Sequence, residues 1–129
     1  MFIHLHNHSE YSLLNGAMRI RDLVAKAKEY KMPAVALTDY GNIFGAVEFY
    51  EAAKEAGIRP IIGTVVFHPS SDDHTLRVHR RGIDHLFHLV LLIENETGYK
   101  NLCKLLTKSC LEGFYYRPRV DSKLLAEYS

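Results

Sequence analysis

The chain has 129 residues, 47% of them hydrophobic, with 16 Lys and Arg against 15 Asp and Glu. That length carries one domain with a hydrophobic core and is short for two, and a formal charge of +1 gives no global field to draw nucleic acid or a membrane surface. No apolar run approaches the ~18 residues of a membrane span, and no basic segment followed by an apolar one opens the chain as a secretion signal would, so no membrane partner is expected.

Taken in chain order, FIHLHNH opens the sequence with His4, His6 and His8 at alternate positions. Period two predicts a strand over 2–8 with the three imidazoles on one face. After Asn15-Gly16, a turn signal, Ile20, Leu23, Val24 and Ala27 recur at helical spacing until Met32-Pro33 stops the helix. AVALTDY (34–40) is a short apolar run of the kind buried in a parallel sheet. AVEFYEAAKEA (46–56) predicts a second helix, with Gly57 placed as its C-cap. PIIGTVVF (60–67) is a third strand.

From His68 to Asp84 the text turns polar, with Pro, Ser and Asp and no apolar period, which predicts a surface loop. His68, His74, His79 and His85 fall in or beside it and are expected to be solvated. HLFHLVLLI (85–93) resumes as a strand, a helix follows through Leu102, Leu105 and Leu106 to Gly113, YYRPRVD is extended, and SKLLAEYS starts a last helix. Cys103 and Cys110 lie on one predicted helix about 10 Å apart in rise, too far to bridge, so reduced thiols and a cytoplasmic location are expected. Strands alternating with helices predict an α/β fold with a mainly parallel sheet, open or curled into a barrel. Four strands are about half of an eight-stranded barrel, so the chain reads as the first portion of one. Such a half barrel exposes apolar edges, and self-association is expected.

In these folds chemistry sits where strands end and βα loops converge. His6 and His8 end the first predicted strand, Asp39 and Tyr40 the second, and Val65 lies late in the third. Two histidines at i, i+2 can reach one ion, since neutral imidazole suits zinc-like metals. Asp39 is open to two roles, ion binding or capping of the Gly41-Asn42 turn. Arg117 and Arg119 flank Pro118 beside Tyr115 and Tyr116. They are candidates for contacting single-stranded DNA, or form a basic surface strand with tyrosines packed beneath.

HLHNHSEYSLLNGA, ALTDYGNIFGAVEFYEAAKEAGIRPIIG, HLVLLIENETGYKNLCKLL and LEGFYYRPRVD, in that order, resemble the polymerase-and-histidinol-phosphatase (PHP) domain found at the N-terminus of bacterial DNA polymerase III alpha subunits. The resemblance runs from Phe2 to Tyr128 and is weakest over 68–84. It implies a distorted (β/α)7 TIM-like barrel whose mouth can hold three metal ions and, in members with intact ligands, metal-dependent phosphoesterase or 3′–5′ exonuclease activity. In members with eroded ligands it implies a scaffold that docks the separate proofreading exonuclease subunit. Among its implied partners are the remainder of the alpha subunit and, indirectly, DNA.

Carried onto this chain, the family's H-x-H pair is His6 and His8, and the histidine opening H-L-x-L-L is His88. His4 stands where related phosphoesterases often carry Asp, and with Asp39 it is an additional candidate. Three family positions depart from the pattern: Asn15 replaces the aspartate of L-L-D-G, Tyr40 the histidine of T-D-H-G, and Val65 the glutamate after I-I-G. A neutral amide, a phenol and an isopropyl group supply none of the charge that gathers dications. The expected cofactor is therefore one weakly held Zn or Mn ion on His6, His8 and His88, without the three-metal cluster. No catalytic residue is assigned, and nucleotidyl transfer is expected to belong to other parts of such a polymerase.

Overall fold

The computed structural model describes residues 2–78 and 84–129; His79, expected in the polar loop, lies outside them. The chain divides into two compact units, one formed by residues up to Val65 with Val90–Leu92, the other by Val66–Leu89 with Ile93–Ser129.

In the first unit the helical period seen in the sequence closes a core. Helix α1 (Ile20–Glu29) buries Ile20, Leu23, Val24 and Ala27, one stripe at i, i+3, i+4 and i+7. These residues cluster with Phe49 and Ala53 of helix α2 (Ala46–Ala56) and with Val35 and Leu37 of strand β1 (Ala34–Tyr40). Strand β1 is buried at every position except Tyr40, as its unbroken apolar text requires. Helix α1 ends as its last carbonyls take the N–H groups of Tyr30, Lys31 and Met32, with Lys31 left-handed at φ 54° and Pro33 following. Gly57 caps α2 at φ 74°, which lets the Ile58 N–H reach the Ala53 carbonyl at 2.8 Å.

Strand β2 (Arg59–Pro69) pairs in parallel with β1, Ala34 against Arg59 through Tyr40 against Val65. Strand β3 (Leu86–Leu92) lies on the other side of β2, giving the order β1-β2-β3. Here the expectation of a mainly parallel sheet is corrected. The Ser70 N–H donates to His85, while Gly63 lies against Leu91, so position rises along β2 as it falls along β3 and the two run antiparallel. The physical reason is the connection, which carries no helix among the described residues; parallel neighbours need a crossover, usually helical.

The expected strand over 2–8 is not regular either. The Ala36 N–H donates to His4 O and the Thr38 N–H to Asn7 O, so three residues of the N-terminal arm span two of β1 and the ladder is broken. Asn7 repairs it with its side chain, donating to the carbonyls of Ala36 (3.0 Å) and His4 (3.3 Å), and exchanges hydrogen bonds with Thr38 Oγ1. A short 3₁₀ turn, Glu10–Ser12, follows.

In the second unit, helix α3 (Glu96–Leu111) is capped by Asn95, whose side chain accepts from Gly98 N–H, and it buries Leu102, Leu105, Leu106 and Ser109. Cys103 and Cys110 on this helix are free thiols. Helix α4 (Ser122–Glu127) is capped by Asp121. No described helix is long and apolar enough to cross a membrane.

Candidate metal centre

Two of the expected ligands meet. The His6 and His8 rings approach edge to face with centroids 4.7 Å apart, and His8 stacks on Tyr40 at 4.2 Å. Tyr40 and Val65 are register partners across β1 and β2, so their side chains share a face. The end of the sheet thus brings together the histidine pair and two of the three substituted positions. His8 Nδ1 lies 2.8 Å from the Thr38 carbonyl. A carbonyl only accepts, so Nδ1 carries the hydrogen, and in the neutral ring Nε2 carries the lone pair. Metal-ligating histidines are held in this way, the second ring nitrogen donating to a carbonyl or carboxylate.

Around this pair the chemistry is poor in charge. Val65 is fully buried, an apolar wall where a carboxylate would have to be. Asn15 is exposed, its amide donating to the Leu13 carbonyl at 3.4 Å. His4 is exposed and packs its ring on Phe2, centroids 4.6 Å apart.

Asp39 is buried, and its carboxylate accepts from Ser9 N–H (2.6 Å), Ser9 Oγ (2.7 Å) and Ser12 Oγ (2.5 Å). These bonds pin the 3₁₀ turn, and with it the end of the histidine arm, to the end of β1. The Gly41-Asn42 turn is closed by other groups: Gly41 N–H donates to the Val65 carbonyl, and Asn42 Oδ1 accepts from Phe44 N–H at 3.1 Å. Ser9, Ser12 and Thr64, whose hydroxyl donates to the Asp39 carbonyl at 2.8 Å, are buried and structural. Only the small polar residues flanking H-x-H and T-D signal them in the sequence.

His88 belongs to the second unit, exposed on β3 with its ring edge to face with Phe67 at 5.2 Å. Arg117 lies over the Phe67 ring, 5.7 Å from its centroid. Arg119 is buried, with Nε on the Gly113 carbonyl, Nη2 on the His74 carbonyl and its guanidinium 5.3 Å from the Tyr115 centroid. Burial lowers the Arg119 pKa, with Arg77 adding repulsion.

Two histidines of the polar stretch depart from the expected solvation. His68 continues β2 and contacts Asp72 and Ser122. His74 is mostly buried, with its ring 2.5 Å from Asp121 Oδ2. The expectation failed because the carboxylate that holds His74 lies 47 residues further on, where no local pattern reports it. Asp73, His74 and Asp121 bring one oxygen, one ring nitrogen and one oxygen within 4.8 Å of one another.

The description of the PHP domain matches residues 4–129, and the chain belongs to that family. It is 52% identical over 99% of its length to DNA polymerase III subunit alpha of Borreliella burgdorferi, 47% to that of Chlamydia trachomatis and 44%, over 98%, to that of Aquifex aeolicus. It covers 11%, 10% and 11% of those proteins respectively, about a tenth of their length. Among solved structures, an amidohydrolase from Chromobacterium violaceum holding sulfate and no metal matches with TM-score 0.59 and 27% identity, over 82% of this chain and 32% of that one. A protein from Bifidobacterium adolescentis described as a candidate metal-dependent phosphoesterase matches with TM-score 0.59 and 19% identity, over 83% of this chain and 32% of that one, a likeness of fold.

Proposed function

We propose that residues 1–129 form the N-terminal portion of a single PHP domain, a distorted (β/α)7 barrel in its full extent, within a cytoplasmic bacterial DNA polymerase III alpha subunit. In this reading the domain acts as scaffold in DNA replication and docks the proofreading exonuclease subunit. It meets DNA indirectly, Arg117 and Arg119 being its weak candidates for direct contact. The observation that carries the scaffold role is the pairing of Tyr40 with buried Val65 beside His8. A phenol and a valine at the strand ends leave no carboxylate to bridge ions, so a three-metal cluster does not fit these residues.

A single Zn or Mn ion does fit the histidine pair, because the Thr38 carbonyl sets the His8 tautomer for ligation through Nε2. His6, His8 and His88 are its proposed ligands, with His4 and Asp39 as further candidates. When bound, such an ion supplies Lewis acidity and an activated water. The His8 geometry favours a second reading, in which the domain retains metal-dependent phosphoesterase or 3′–5′ exonuclease activity. Leu86, Phe87, Leu89 and Leu92 of β3 are exposed, which supports pairing with the remainder of the alpha subunit or with a second copy.

The deciding experiment combines elemental analysis, phosphatase and exonuclease assays in manganese and zinc, and pull-down with the proofreading exonuclease. An inactive protein that captures the exonuclease supports the scaffold. Three bound metals with turnover would overturn it.

A further inference from the structure

His74 carries an arrangement that neither the histidine pair nor the polymerase reading uses. Its backbone is fixed at both ends, the N–H donating to Asp121 Oδ2 at 3.2 Å and the carbonyl accepting from Arg119 Nη2 at 2.9 Å. Its Nδ1 lies 2.5 Å from the same Asp121 oxygen. An ionised carboxylate only accepts, so Nδ1 holds the hydrogen and the lone pair of the neutral ring sits on Nε2. That Nε2 is buried and has no hydrogen-bond partner.

Facing it, 3.7 Å away, is Glu112 Oε2. Two acceptors turned toward each other at this distance lack the hydrogen that would join them. Two ligands of one tetrahedral ion, each about 2.0–2.2 Å from it, stand about 3.4 Å apart, close to the separation found. Asp73 brings a further carboxylate oxygen to the group it forms with His74 and Asp121. Its Oδ1 is fixed by the N–H and hydroxyl of Thr75, at 2.9 and 2.7 Å.

We propose that His74 and Glu112 bind one divalent transition-metal ion at a second site, separate from the histidine pair, with Asp121 as the carboxylate that orients the imidazole and Asp73 adding negative charge to the group. The carboxylate–imidazole–ion chain is how proteins present ligating histidines. An imidazole with carboxylates selects zinc-class ions over magnesium or calcium, which prefer oxygen alone. Arg119 and Arg77 oppose the ion's charge, and the three carboxylates Asp73, Glu112 and Asp121 outnumber them. The competing occupant of Nε2 is a proton, which would make His74 an imidazolium paired with Asp121 and Glu112.

Cobalt(II) titration of the whole chain distinguishes the two, with His6→Gln/His8→Gln as the starting variant to remove the first site. The expected result is one equivalent bound, with the visible absorption of a nitrogen–oxygen site, and its loss when His74→Gln is added. Asp121→Asn keeps the α4 cap, since Asn caps as well as Asp, and lowers affinity about 10–100-fold by loosening the imidazole. Glu112→Gln alters a surface side chain, so a fall in affinity there reports ligation and not unfolding. Failure of the starting variant to bind cobalt, unchanged affinity in Glu112→Gln, or unchanged binding on adding His74→Gln overturns the proposal.

Discussion

Replacing Asp39 by alanine tests whether that carboxylate is a clamp. In the structure it is buried and accepts three hydrogen bonds, from the backbone of Ser9 and the hydroxyls of Ser9 and Ser12. Both hydroxyl oxygens already accept from backbone, Ser9 Oγ from Tyr11 N–H and Ser12 Oγ from Tyr40 N–H, so alanine leaves their hydrogens and the Ser9 N–H without an acceptor. Each orphaned donor costs about 1–3 kcal/mol, and removing one partner of a buried charged network costs about 3–5 kcal/mol in all. Set against the roughly 6–19 kcal/mol expected for a domain of this length, that is a large fraction.

With a urea slope of about 2 kcal/mol per M, Asp39→Ala moves the unfolding midpoint down by about 2 M. Asp39→Asn retains one carbonyl oxygen for the Ser9 N–H and loses about half as much. Urea unfolding followed by circular dichroism measures both, with Ser9 amide exchange reporting the turn itself. A midpoint shift below about 0.5 M for the alanine variant, or loss of bound metal with no change in midpoint, refutes the clamp and makes Asp39 a ligand.

Gly63→Ala would set its Cβ 2.3 Å from the Leu91 carbonyl oxygen, and thermal unfolding should show a loss of about 1–3 kcal/mol as β2 and β3 part. The Tyr11 hydroxyl donates to Glu48 at 3.2 Å, and this bond, with the charge of Glu48, raises its pKa above 10.0. A raised pKa stabilises the fold below the unfolded value and ceases to do so as pH climbs through the folded one, so Glu48→Gln should return the Tyr11 titration, followed by NMR, toward 10.0. Phe87 is 57% exposed on β3. Sedimentation equilibrium should show concentration-dependent association of the chain, and Phe87→Lys should shift it toward monomer.

Much of the first unit could be read from residue order because its determinants are local. The stripe of Ile20, Leu23, Val24 and Ala27, the unbroken apolar text of β1 and Gly57 at the end of α2 each act within a few positions of themselves. The arm at 2–8 departs from the strand its alternation predicts, because alternation fixes which way side chains point and says nothing about how a neighbour's N–H groups are met. Asn7 meets them with its own amide. The direction of β3 follows from a connection that carries no helix among the described residues, and apolar runs alone do not report whether neighbouring strands run parallel or antiparallel. Of the site, the meeting of His6 and His8 followed from H-x-H, whereas the Asp39 clamp and the His74–Asp121 pair depend on partners about 30 and 47 positions away.

The mended ladder between the N-terminal arm and β1 has a kinetic consequence. A segment tied by an asparagine amide, two main-chain bonds, the Thr38 hydroxyl and carbonyl and one buried carboxylate can peel away while β1 remains paired with β2, since the β1–β2 ladder is a separate set of hydrogen bonds. Its amides should therefore exchange through a local opening of lower free energy than global unfolding. Were His6 and His8 to hold the proposed ion, that opening would let them take it up or release it without melting the sheet.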